Sequence, residues 1–310
     1  MPTWKIGDIT VSQILEMPLE PGELDGLIEE ATPDAVRAIE WLHPHYANEA
    51  GQTLWSLHAF VVETPEARVL VDAGCGNHKN LPLIPNWGGL HNPFLERLAD
   101  AGYRPEDIDY VLATHLHLDH VGWNTVLDDG LWRPTFPNAR YTYVRDEFDY
   151  HRGLAEGEST TSDLSHAVVY EGANPDIHVQ TRLVFAESIQ PCLDAGLVDL
   201  VESDHEVTPG VRYASTPGHT KAHHSVRLES GGEVGVVTGD FIHHPIQLAR
   251  PAWSSRGDWD RELSATSRTS FLESAAGTET LVLGTHFSGP AGGHVVPDGE
   301  AFRFAPIQGS

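Results

Sequence analysis

The sequence predicts a layered α/β fold in which sheets are covered by helices. Three observations predict it. Short apolar runs of strand character recur along the chain, helical patterns stand between them, and several of the runs end abruptly at a polar residue. The 310 residues suffice for one large domain or two smaller ones, with a substantial buried core.

Taken in order, "WKIGDITVSQIL" alternates well enough for a strand or hairpin. "TPDAVRAIEWL" reads as a helix with Thr32 as N-cap and Pro33 at its first position. "TLWSLHAFVVETP" and "ARVLVDAG" are two apolar strands joined by a short turn, and "NPFLERLADAGY" is an amphipathic helix ended by Gly102. "IDYVLATH" is a short buried strand. The pattern returns later: "GVRYASTPGH", "HHSVRLES", "GEVGVVTGD" and "TLVLGTH" are strands, "DWDRELSATSRTSFLESAAG" is a helix, and the tail is a hairpin. The region 145–200 is the least patterned, with a helix expected only through "TRLVFAESIQ". An irregular insertion between strands is where a lid or substrate-binding wall would sit.

Composition narrows the function. A formal net charge of −26 opposes binding to nucleic acid, which wants a basic face, and to an anionic membrane surface. The N-terminus lacks a basic segment followed by an apolar core, and no run approaches the ~18 apolar residues that span a bilayer. With only Cys75 and Cys192, a disulfide framework is not expected and a reducing cytoplasm fits. Cys75 reads as a small buried residue, and His58, inside an apolar strand, as a packed one.

The segment "YVLATHLHLDHVGWN" places three histidines and an aspartate in six residues, His115-x-His117-x-Asp119-His120. Four apolar strands each run into a potential metal ligand: "YVLAT" into His115, "VRYASTPG" into His219, "VGVVTG" into Asp240 and "LVLGT" into His286. A strand anchored in a core gives its terminal side chain little positional freedom, as a preorganised metal site requires. Imidazoles and carboxylates without cysteine suit zinc first, with manganese, iron and cobalt as alternatives. Seven ligands are too many for one tetrahedral ion, so two divalent metal ions are expected.

These motifs resemble the metallo-β-lactamase superfamily, on "THLHLDH" at 114–120, "TPGHT" at 216–220, "GD" at 239–240 and "GTH" at 284–286. The resemblance implies a four-layer αββα sandwich, two mixed sheets with helices on the outer faces and the metals at one edge. It implies a single domain over 1–310, with a variable segment at about 20–50 and an insertion or lid at about 145–200. By resemblance His115, His117 and His219 would hold one metal, Asp119, His120 and His286 the other, with Asp240 bridging. Asp72 would orient a ligand imidazole from behind. His223, His224, His243 and His244 follow ligands directly and are candidates for support of the ligands or substrate contact. Trp87, Trp123, Phe241 and Phe287 flank the motifs and could line an apolar pocket.

Within the superfamily the chain is most similar to the group of N-acyl-homoserine lactone lactonases and methyl parathion hydrolase-like enzymes. That group implies a metal-dependent hydrolase in which a hydroxide on a dinuclear site opens a lactone or cleaves an ester-type bond in a small molecule, with Asp119 or Asp240 passing the proton. Phosphotriester hydrolysis and a mononuclear iron dioxygenase of the persulfide type on the same fold are the alternatives. The expected partner is a small-molecule substrate, and a homodimer stays open.

Overall fold

The computed structural model describes residues 1–157 and 177–309. The first sheet begins with β1 (Thr3–Ile6), β2 (Ile9–Pro18), β3 (Ser56–Glu63), β4 (Arg68–Val71) and β5 (Tyr110–Leu112). A separate hairpin, β6 (Thr125–Asp128) and β7 (Leu131–Pro134), follows, and β8 (Arg140–Val144) and β9 (Val198–Val201) complete the first sheet in the order β1-β2-β3-β4-β5-β8-β9. The second sheet keeps chain order: β10 (Glu206–Thr208), β11 (Val211–Ser215), β12 (His224–Ser230), β13 (Glu233–Val237), β14 (Leu281–Leu283), β15 (Gly292–Asp298) and β16 (Ala301–Pro306).

Both sheets are mixed. β1 to β4 pair antiparallel while β4, β5, β8 and β9 pair parallel; in the second sheet only β13 and β14 are parallel. Parallel neighbours need a crossover. The helices in chain order are α1 (Pro33–Arg37), α2 (Phe94–Asp100), α3 (Leu118–Val121), α4 (Arg145–Glu156), α5 (Ile177–Val184), α6 (Gln190–Asp194), α7 (Ile246–Ala249) and α8 (Arg261–Ala275). The crossover from β4 to β5 carries α2, which packs on β2, and the one from β13 to β14 carries α8, which packs on β15.

The strand β3 shows why the layers form. Ser56 to Val62 are buried without alternation, because one face of the strand meets the other sheet and its opposite face a covering layer. β1 and β2 meet β12 across the interface between sheets. The result is the αββα sandwich, with Phe60, Val61, Val62 and Leu70 among its fully buried residues.

Two expectations need adjustment. The helix read over 32–42 is the short α1, capped by Thr32 Oγ1 accepting from Ala35 N, followed by a 3-10 turn at Glu40–Leu42. The region 145–200 contains a regular twelve-residue helix, α4, that its sequence does not announce. Glu147 and His151 lie on its buried face beside Phe148 and Leu154, so the inward stripe carries polar residues and the apolar period is blurred. The helix expected through "TRLVFAESIQ" is the run from α5 through a π-turn at Phe185–Ile189 into α6. Residues 158–176 of the expected insertion lie outside the described residues. Among the described residues no helix is long and apolar enough to cross a membrane.

Candidate metal centre

Four strand ends converge at one edge of the sandwich. β5 stops at Leu112 three residues before His115, β11 stops before His219, β13 before Asp240 and β14 before His286. The turn after β5 adds His117, which precedes the first residue of α3, and that one-turn helix carries Asp119 and His120.

The seven side chains fall into two groups that meet at Asp240. His219 Nε2 lies 3.2 Å from His115 Nε2 and 2.9 Å from His117 Nδ1. On the other side His120 Nε2 is 3.7 Å from Asp119 Oδ1, and His286 Nε2 is 3.7 Å from Asp119 Oδ2. Asp240 divides its oxygens between the groups. Oδ1 approaches His286 Nε2 at 3.0 Å and His120 Nε2 at 3.3 Å, while Oδ2 approaches His219 Nε2 at 3.5 Å and His115 Nε2 at 3.9 Å. Within His115, His117 and His219, and again within Asp119, His120 and His286, donor atoms lie within 4.8 Å of one another.

Imidazole nitrogens aimed at each other in a buried site are a poor arrangement for a core and a good one for cations. His120 Nε2 and Asp240 Oδ1 have no hydrogen-bond partner although both are buried. Buried polar atoms are normally satisfied, so this cluster fits divalent ions between its two halves. Burial and the neighbouring imidazoles push His115 and His117 well below the usual histidine range, which leaves neutral lone pairs for a metal. The carboxylate end behaves oppositely. Burial opposes charge on His120, but Asp240, Asp72 and Asp119 outweigh it and lift the imidazole well above its usual value. Burial likewise opposes a charged Asp240, and His286, His120 and His243 override it, holding the carboxyl well below its usual value.

Behind these donors stands a layer of fixed groups. Asp72 sits just past β4 with φ of 55°, in the left-handed region that few residues other than glycine adopt. Its carboxylate accepts from Thr114 N at 2.8 Å and lies 3.0 Å from His120 Nδ1, which turns Nε2 toward Asp240. Asp258 does the same for the other group, its Oδ1 lying 2.9 Å from His219 Nδ1. His223 Nε2 accepts from Asp240 N at 2.9 Å and thereby holds the backbone of the shared carboxylate. His243 reaches the cluster itself, with Nε2 3.3 Å from Asp240 Oδ2. His224 and His244 do not. His224 contacts Ser203 and the Ala222 carbonyl, and His244 contacts the Tyr46 carbonyl and Ile246 N.

The cluster forms the floor of a cavity. Its walls are mainly apolar, with Leu24 and Leu27 from the segment before α1, Ile84 and Trp87 from the connection before α2, and Val184 from α5. His117, Asp119, Asp240 and His286 face the same space. Of the flanking aromatic residues, Trp87 lines the cavity, whereas Trp123, Phe241 and Phe287 are buried in the core.

The family model of the metallo-beta-lactamase superfamily matches residues 53–286, a stretch that contains both donor groups and Asp240. The chain belongs to the metallo-beta-lactamase superfamily. Among curated members, an N-acyl homoserine lactonase of a Bacillus species is 28% identical over 186 residues, covering 55% of this chain and 57% of the relative. A probable metallo-hydrolase of Mycobacterium tuberculosis is 23% identical over 202 residues, covering 60% of this chain and 57% of the relative. The chain thus spans little more than half the length of these curated relatives. Solved structures agree over nearly the whole chain. AidC, a dizinc quorum-quenching lactonase in complex with a product, N-hexanoyl-L-homoserine, aligns with a TM-score of 0.78 at 21% identity, covering 98% of this chain and 96% of that one. The hydrolase AbOPH aligns with a TM-score of 0.78 at 23% identity, covering 100% and 98%. At those identities the likeness speaks for the superfamily fold.

Three buried carboxylates of this superfamily member carry no motif. Asp258 lies in an ordinary loop, 39 residues beyond the histidine that it contacts. Glu147, on α4, lies 2.9 Å from His151 Nε2 and accepts from Thr220 Oγ1 at 2.7 Å, next in sequence to His219 of "TPGHT". Glu16, where the pairing of β2 with β3 shifts register between Leu15 and Met17, accepts from Cys75 N, Gly76 N and Trp123 Nε1. Only the isolated acidic residue in the apolar run "ITVSQILEMP" could have signalled Glu16.

Proposed function

We propose that the protein is a metal-dependent hydrolase that opens a lactone or cleaves an ester-type bond in a small molecule. The observation that carries this reading is the pair of donor groups sharing Asp240 at the floor of an apolar-walled cavity. His115, His117 and His219 would hold one divalent ion and Asp119, His120 and His286 a second, with Asp240 between them. Zinc is the first choice, because the donors are imidazole and carboxylate, and because one similar structure is described as dizinc. Such ions supply Lewis acidity and acidify water.

The chain's own residues do the rest. Asp258 accepts from the outward Nδ1 of His219, and the Asp72 carboxylate lies 3.0 Å from the outward Nδ1 of His120, so both favour the tautomer with Nε2 inward. Asp240, held by His223, keeps both oxygens committed to the imidazoles. Asp119 keeps part of its carboxylate open to the cavity, which suits it to take up the proton that the attacking water loses and to pass it to the departing alkoxide oxygen. The apolar walls exclude bulk water and accept a hydrocarbon substituent on the substrate. An acyl homoserine lactone, the substrate class in the names of the curated relatives, has this mixture of ester and hydrocarbon. Two free buried cysteines are compatible with a cytoplasmic location.

The test is elemental analysis of the purified protein together with hydrolysis of a γ-lactone, an aryl ester and a phosphotriester. Two equivalents of zinc and lactone or ester turnover, abolished in His117→Ala, are expected. Turnover confined to the phosphotriester would move the reading to that substrate class. One equivalent of iron with oxygen uptake on a persulfide would replace hydrolysis by dioxygenation.

A further inference from the structure

Among the described residues of the cavity wall, Gln180 uses only half of its hydrogen-bonding capacity. Gln180, on α5, is 3% exposed and lines the cavity. Its Oε1 accepts from Leu83 N at 3.0 Å. That bond fixes the orientation of the amide, because a backbone N–H can face only the oxygen. The amide Nε2 is thereby turned away from Leu83, and it is buried without a hydrogen-bond partner. A buried NH2 that donates to nothing is unfavourable, and native structures rarely keep one without a use.

Among the described residues no group accepts from this Nε2. Leu83, Ile84, Leu118 and Val184 line the same wall and offer no side-chain acceptor. The metal-ligating candidates Asp119 and His117 share the cavity floor, and α5 packs against α3, the helix that carries Asp119. Gln180 thus lies in the wall of the cavity in which a molecule reacting at the floor must place its substituent.

We infer that Gln180 Nε2 donates to a carbonyl oxygen on the substrate's substituent, so that the site selects lactones or esters carrying an acylamino group over those with a plain alkyl chain. The inference rests on the hydrolase reading above and assigns one specificity-determining residue within it. An apolar wall alone cannot tell an amide-bearing chain from a hydrocarbon, whereas a wall with one unmatched donor penalises the hydrocarbon. Leu83 N acts as the clamp that holds the amide in register.

The experiment compares wild type, Gln180→Leu and Gln180→Glu. The glutamate variant keeps the acceptor for Leu83 N and loses the donor, so it controls for folding defects in the leucine variant. The first readout is the ratio of kcat/KM for N-hexanoyl homoserine lactone to that for γ-decanolactone. A fall of about tenfold in both variants, mainly through KM, is expected. The second readout is calorimetric binding of N-cyclopentylhexanamide, an amide with no hydrolysable bond, which should weaken by a similar factor. An unchanged ratio and unchanged amide binding in both variants would overturn the inference and leave Gln180 as a wall residue fixed to Leu83. Should wild type hydrolyse neither lactone, the lactone branch of the hydrolase reading fails, and amide binding still decides the role of Gln180.

Discussion

Asp258 Oδ1 lies 2.9 Å from His219 Nδ1, and both side chains are buried. Burial disfavours a charged Asp258, but the hydrogen bond from His219, with the nearby His243 and Arg268, brings its carboxyl below the usual carboxylate range. The loop that carries Asp258 is itself fixed, because Arg268 on α8 donates to the carbonyls of Phe241, Pro251 and Trp253. Asp258→Ala is expected to weaken binding of the ion proposed for His115, His117 and His219 by about 10- to 100-fold, the usual effect of losing a carboxylate behind a ligand imidazole. Stepwise metal titration against a chromogenic chelator reads this directly. Equal loss at both sites would show that Asp258 acts on the loop and not on His219.

Gly122 lies where two backbones almost touch. A Cβ placed on it would run into the carbonyl of Cys75 and the amide of Gly76, and neither is a flexible side-chain end. The contact is stitched by Gly122 N donating to Gly74 O at 2.7 Å and Ala73 N donating to His120 O at 2.6 Å. Glu16 gathers Cys75 N, Gly76 N and Trp123 Nε1 from the other side. Gly122→Ala is expected to cost about 1–3 kcal/mol of overpacking and to separate Asp72 from His120. Urea unfolding measures the first effect, and loss of one of two bound metal equivalents measures the second. A variant with full metal content and wild-type stability would show that the contact relaxes freely.

The side chains that converge at the sandwich edge were legible because strand ends and residue spacing are local properties. His115, His117, Asp119 and His120 sit within six residues, and each remaining donor follows an apolar strand directly. Of what stands behind them, Asp72 and His223 were named from the motifs, whereas Asp258 and Glu147 were not, because they reach their imidazoles or loops only through the tertiary fold. Nearness in sequence also misleads. His223 and His224 are adjacent at the start of β12, and in extended chain successive side chains point to opposite faces. One therefore meets Asp240 N and the other meets Ser203. α4 was hidden for a related reason, since its buried stripe carries Glu147 and His151.

Acid should destabilise the protein through histidines outside the proposed metal-ligand set. Burial, helped by the charge of His286, lowers His58 to about 3, and burial lowers His244 to about 4. Unfolded histidine takes up a proton below about 6.5, while these folded ones refuse it. The unfolded state thus binds more protons, and stability falls as pH drops from 6.5 toward 4, by about 1.4 kcal/mol per unit for each such group. His244→Gln should reduce that slope between pH 6.5 and 4.5 by about one group's share. Parallel urea-derived stability curves for variant and wild type would refute the assignment.

On the alkaline side the corresponding group is Lys79. Its Nζ donates to Thr125 Oγ1 at 2.6 Å and to Glu187 O at 3.1 Å, and it stands 3.6 Å above the Trp132 ring. These contacts tie the connection before α2, which lines the cavity, to the π-turn after α5. Burial nevertheless lowers Lys79 to about 7, with Glu187 only partly offsetting it. Between pH 7 and about 10.4 the unfolded lysine keeps a proton that the folded one has released, so this group makes stability rise with pH across that window. The rise amounts to about 3 kcal/mol from pH 7 to 9.5 if the group titrates alone. Lys79→Met removes the titration, and its stability relative to wild type should be highest near pH 7 and decline toward pH 9.5. A difference that stays constant over that range would mean that Lys79 is protonated throughout, with the Trp132 face and the Glu187 carbonyl sufficient to hold its charge.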